Sequence, residues 1–195
     1  MKKVFCFFGL FFVLIVSVFS QTMIVTNLKF GMTPQEASIV IGKTLIHTGN
    51  DITNPWYYAE DLSDGTKFIL MEITKEDGLV GFRLEINPMT YNQAKDHCQL
   101  IVDENSKTYG NPRITTNNNG MLITIDPITG KRTEYGRPVY YAWNFMQNNS
   151  LGEGIATITV TVTQSQIEPQ QFTVETLYQS IIQYNQIQSI INNRR

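Results

Sequence analysis

Two stretches of the chain carry apolar residues at helical spacing directly behind a capping sequence. Thr33-Pro34-Gln35-Glu36 offers a Thr N-cap, Pro at the first helical position and Glu three residues on, which is a capping box. Ala37, Val40 and Ile41 then share one face, and Gly42 is a natural stop. Thr90-Tyr91-Asn92-Gln93 repeats the cap with Gln in the third place, and Tyr91, Ala94, Cys98, Ile101 and Val102 follow at spacings of three and four. This second stripe puts Cys98 on a buried face and turns His97 away from it. Tyr109-Gly110-Asn111-Pro112 supplies both kinds of helix breaker.

Strand-like segments follow each helix. After the first come Trp56–Leu62, Lys67–Thr74 and Leu79–Ile86, joined through Ser63-Asp64-Gly65 and Glu76-Asp77-Gly78 turns. After the second come Met121–Ile125, Val139–Met146, Gly154–Thr163 and Gln171–Tyr178, with turns at Asp126–Gly130 and Asn148–Gly152. The tail from Ser180 to Ile191 has helical spacing and a polar face of Gln and Asn. The order is helix then antiparallel meander, twice, an α+β pattern, and the short hairpin connections exclude a parallel βαβ sheet. Met32-Thr33 and Ala37 match Met89-Thr90 and Ala94 in register. The expected organisation is therefore two helix-plus-antiparallel-sheet repeats, 21–88 and 89–179, and a helical tail, 180–195.

Residues 1–20 read differently. Lys2 and Lys3 precede an apolar run from Val4 to Phe19, and Val18-Phe19-Ser20 fits a cut before Gln21. That is the order of a secretory signal peptide, and the run is shorter than the ~20 residues a spanning helix needs. The expectation is a periplasmic or secreted protein with no stable membrane anchor after cleavage. Losing the two lysines takes the net charge from −2 to −4, and leaves Cys98 as the one thiol, so the fold has no internal disulfide to rely on. With 15 Lys and Arg against 17 Asp and Glu, nothing in the charge balance favours nucleic acid.

Leu28-Lys29-Phe30-Gly31-Met32-Thr33-Pro34-Gln35-Glu36-Ala37, closing at Gly42, resembles the opening of the SmpA/OmlA-type outer-membrane assembly lipoproteins. The wider group is similar to β-lactamase inhibitor proteins, in which two helices pair with a small antiparallel sheet, sometimes in tandem. The resemblance implies that fold, and a partner gripped by an open sheet face. Where the family's lipid-carrying Cys would stand, this chain has Gln21 and Thr22.

Chemical constellations are sparse. Gly42-Lys43-Thr44 lacks the earlier Gly and the preceding strand of a phosphate-binding loop. Asp61, Asp64 and Gly65 lack the alternating acids and closing Glu of a calcium loop. His97 and Cys98 diverge by ~100° on a helix and cannot pair as base and nucleophile. His47 has no nucleophile turn or oxyanion loop beside it, and two histidines with one buried thiol make a poor zinc set. Glu60-Asp61 and Glu76-Asp77 flank turns, where solvated charge is the default. No cofactor, no metal and no catalytic residue is expected.

Aromatic residues are the more informative population. Trp56-Tyr57-Tyr58 and Tyr140-Tyr141-Ala142-Trp143 place rings on both faces of their strands. If the Trp-bearing faces are core, Tyr57 and Tyr140 point outward as binding residues, since Tyr is enriched where interfaces concentrate their energy. The expected function is that of an exported, non-catalytic protein that binds another envelope or extracellular protein. The alternative is a small extracytoplasmic hydrolase, which would need His47 and two carboxylates in one pocket.

Overall fold

The computed structural model describes residues 27–48, 55–63, 65–118, 120–145, 155–165 and 168–192. The expected cut before Gln21, Asp64 of the first hairpin turn and the turn at 148–152 lie outside them. The chain is mixed helix and antiparallel sheet, with sheet predominating. Helix α1 spans Pro34–Ile41, α2 Tyr91–Tyr109 and α3 Ile181–Asn192. Strands β1 (Ile46–His47), β2 (Trp56–Glu60), β3 (Thr66–Thr74) and β4 (Gly78–Ile86) follow α1. After α2 come β5 (Arg113–Thr116), β6 (Leu122–Ile125), β7 (Arg132–Gly136), β8 (Val139–Asn144), β9 (Ile155–Gln164) and β10 (Phe172–Ser180).

Both capping sequences behave as their chemistry requires. The Thr33 hydroxyl accepts from the Glu36 N–H at 3.3 Å, and the Glu36 carboxylate accepts from the Thr33 N–H at 2.9 Å. The bonds its carboxylate accepts from the Thr33 N–H and hydroxyl hold the Glu36 carboxyl below its ordinary range. Gln93 closes the equivalent box on Thr90 at 3.1 Å. Gly42 ends α1 at φ 68°, a left-handed conformation that costs glycine nothing.

Eight strands form one sheet in the order β1-β2-β3-β4-β10-β9-β8-β5, every neighbour antiparallel. The two meanders meet where β4 pairs with β10, so the halves on either side share a continuous sheet. One face is covered by α1 and α2. Under α1, Ala37 and Ile41 pack on Ala59, Ile69, Met71 and Leu84. Under α2, Ala94, Cys98 and Val102 pack on Trp143, Ile158, Val160 and Phe172. Tyr178 touches both cores and stacks on Phe82 with ring centroids 4.6 Å apart. Burial pushes its phenol up to about 12.

Three strands escaped the hydrophobic pattern. β1, β5 and β7 are short and polar, and β5 is exposed at all four residues, so no alternation marks them. The segment expected at Met121–Ile125 is not part of the second meander. As β6 it pairs with β7 alone, in a separate two-stranded ribbon, while β5 takes the sheet edge beside β8.

Candidate functional site: the second face of the sheet

Strand register decides which side chains share the face that α1 and α2 leave uncovered. Ala59 (3% exposed) opposes Ile69 (0%) beneath α1, which turns Tyr57 to the same covered side. Trp56 and Tyr58 therefore occupy the second face, the reverse of the arrangement expected from ring size. The reason is that Ala59 lies under α1 and sets the phase of β2, whatever the size of the residue at its start. For β8 the expectation matches. Trp143 is buried, its indole N–H donating to the Gly110 carbonyl at 2.8 Å, and Tyr140 lies on the second face opposite Thr161. Tyr57 and Tyr140 thus stand on opposite sides of the sheet. Tyr57 packs against the core and contacts the His47 ring at 4.8 Å, while the Tyr140 hydroxyl receives an Asn117 amide hydrogen at 3.5 Å.

Across this second face one row runs Tyr58, Leu70, Arg83, Leu177, Thr159, Ala142, each opposite the next. The adjacent row runs Phe68, Glu85, Glu175, Thr161, Tyr140. The centre of the face, at the β4–β10 seam, is therefore charged. It has aromatic and aliphatic residues toward β2, where Tyr58 stacks on Phe68 at 5.9 Å, and threonines toward β8. Helix α3 lies over the third row. There the Gln183 amide sits against Gly81 and donates to Glu72 at 2.5 Å.

The central group is Arg83. Its guanidinium lies 3.6 Å from a Glu85 carboxylate oxygen and 3.7 Å from one of Glu175, too long for hydrogen bonds but close enough for Coulombic attraction. Its Nε is buried and makes no hydrogen bond among the described residues. Burial raises the Glu85 carboxyl above its ordinary range against the pull of Arg83. Burial also raises Glu175, with Arg83 opposing and the neighbouring Glu85 charge adding to the rise. One cation shared loosely by two carboxylates has unused hydrogen-bonding capacity on all three partners. Sequence reasoning missed these residues. A partial signal was present: the charges at 83 and 85 interrupt the otherwise apolar β4 at alternate positions, which share one face.

The remaining candidates resolve locally. Asp61 pairs with Lys67 at 2.6 Å at the end of the β2–β3 hairpin. Glu76 and Asp77 are exposed in the next turn. His97 is half-buried on α2, and burial lowers its imidazole despite the opposing Glu104 charge. Cys98 is 4% exposed, and burial pushes its thiol up to about 11. His47 sits on the edge strand, three strand spacings or ~14 Å from the Glu85 strand. Among the described residues no group of three His, Cys, Asp or Glu could hold a metal ion, and no helix is long and apolar enough to cross a membrane. No family model, characterised protein or solved structure matches the chain.

Proposed function

We propose that this chain is an exported, non-catalytic protein that binds another envelope or extracellular protein across the second face of its sheet. The observation that carries the reading is the side-by-side placement of Tyr58, Phe68 and Leu70 with the loosely satisfied Arg83, Glu85 and Glu175. Aromatic contact area beside a desolvated Arg is the usual composition of an interface hot spot. Tyr140, in the same row as Glu85 and Glu175, extends the surface, whereas Tyr57 serves the core. Export rests on the basic, apolar and small-residue order of residues 1–20, and the periplasm or the exterior is the proposed location.

The two halves also support a reading as tandem repeats. α1 with β2-β3-β4 and α2 with β8-β9-β10 have the same element order, and they meet at equivalent third strands. In such an arrangement the charged centre lies on the seam between repeats, where one partner surface meets both.

The test is affinity capture from the native envelope, with mass spectrometry of what is retained by the wild-type protein and by Tyr58→Ala and Tyr140→Ala. One protein held by wild type and lost from both folded variants supports the reading. Equal retention by all three overturns the binding face.

A further inference from the structure

We infer that the cleft between α2, the foot of the β6–β7 ribbon and strands β8 and β9 is a binding site for a small organic carboxylate with one ring or a branched aliphatic body. The cleft holds about 190 Å³. An apolar cavity of roughly 150 Å³ accommodates one benzene-sized molecule, so the body of the ligand is limited to that scale.

Its floor is built from apolar groups of the core under α2. Cys98, Leu122 and Val162 are all buried there. The thiol belongs to this apolar surface, because burial keeps it protonated far above neutral pH. One wall is Tyr91, whose ring is held by Tyr135 at 4.7 Å and Phe172 at 5.3 Å, and so is fixed before anything binds. Tyr141 also lines the cleft and is half-buried.

The rim gives the sign of the charge. Lys95 and Arg137 stand there against Asp96 alone, an excess of one positive charge. Neither cation is in an ion pair among the described residues. Arg137 is tethered by one N–H donated to Asn118 at 2.9 Å, which leaves the rest of its fork available. A guanidinium beside an apolar slot favours a carboxylate on a hydrophobic body over a neutral or cationic molecule of the same shape.

Benzoate and 4-methylpentanoate are the probes, with benzamide and 4-methylpentanamide as uncharged isosteres. Each is titrated into the purified protein by calorimetry, and alkylation of Cys98 is followed by peptide mass spectrometry. The expected result is saturable binding with Kd on the order of 1 mM or tighter for at least one carboxylate. Its amide should bind at least about five-fold more weakly, and bound carboxylate should slow Cys98 alkylation. Arg137→Gln should remove most of the preference for carboxylate over amide. Val162→Phe should abolish binding by filling the cleft, and Cys98→Met does so from the floor if the first variant fails to fold. Three results overturn the inference: no binding by either carboxylate up to about 10 mM, equal affinity for acid and amide, or binding that survives filling of the cleft.

Discussion

Gly78→Ala tests how the segment before α1 is fastened to the sheet. Gly78 opens β4 at φ 67°, and a Cβ built on it would lie 2.3 Å from the Gly31 carbonyl oxygen and 2.5 Å from its carbon. Two costs follow. Alanine in the left-handed region costs roughly 1–2 kcal/mol. The contact also forces one backbone off the other by about 1 Å, since carbon and oxygen approach no closer than ~3.3 Å without repulsion. That movement breaks the bonds that dock this segment, Gly31 N–H to Leu79 O at 2.9 Å and Leu79 N–H to Met32 O at 2.8 Å. At ~1 kcal/mol each they bring the total to about 3–4 kcal/mol. For a chain of this size that lowers Tm by about 10 °C. Gly31→Ala is the control, because Gly31 also has positive φ, at 88°, but a Cβ there would meet nothing within 4 Å. It should lose only the conformational part. Gly78→Asn separates the two costs: Asn tolerates φ > 0 but still carries a Cβ. Thermal and urea melts of the three variants decide the matter. If Gly78→Ala costs no more than Gly31→Ala, or if Asn restores stability, the close approach is not what requires glycine.

Trp143→Ala should destabilise by about 3–5 kcal/mol in urea melts, because it empties the core under α2 and strands the Gly110 carbonyl that its indole satisfies. Cys98 should react with thiol reagents slowly in native protein and quickly once denatured; Cys98→Ala should cost little and Cys98→Asp far more, since a carboxylate there loses its solvation. Fast labelling of native protein would show the face of α2 to be wrong. Glu85 gives a pH prediction: its folded pKa is raised above 4.5, so the folded chain binds more protons, and stability falls as pH rises from 4.5 through the raised value. Glu85→Gln should flatten that fall in urea melts taken across the same range, leaving the part due to Glu175. An unchanged slope would refute the buried charge at the seam.

The parts of the fold that sequence reasoning reached are those whose signals are local. The caps at Thr33 and Thr90 name their own helices, because each box is closed within four residues. Strands β3, β4, β9 and β10 are within two residues of their expected ends, since both meanders bury a face and show it as alternation. Arg113–Thr116 carries no such mark, as an edge strand exposed on every residue has no reason to alternate. Trp56 misled for a different reason. Ring size predicts burial when phase is free, but Ala59, small enough to lie beneath α1, had already fixed it. The charged centre is the least local feature of all. Glu85 and Glu175 are separated by 90 residues, and only the pairing of β4 with β10 brings them to one guanidinium.

That pairing sets an order of events for a chain that emerges from its N-terminus. β2, β3 and β4 can pair as soon as they are free, since their hairpins close over short loops. The inner edge of β4 then stays open until Phe172–Ser180 arrives, after α2 and five further strands. For that interval an edge flanked by Leu79, Phe82 and Leu84 offers unpaired amides to any neighbouring strand, the situation that leads to aggregation. The contacts that end the interval are of long sequence separation, so they form slowly. A ribosome stall or a truncation before residue 172 therefore leaves the first half helical and paired, yet with an adhesive margin, and a chaperone that masks one strand edge would be enough to protect it.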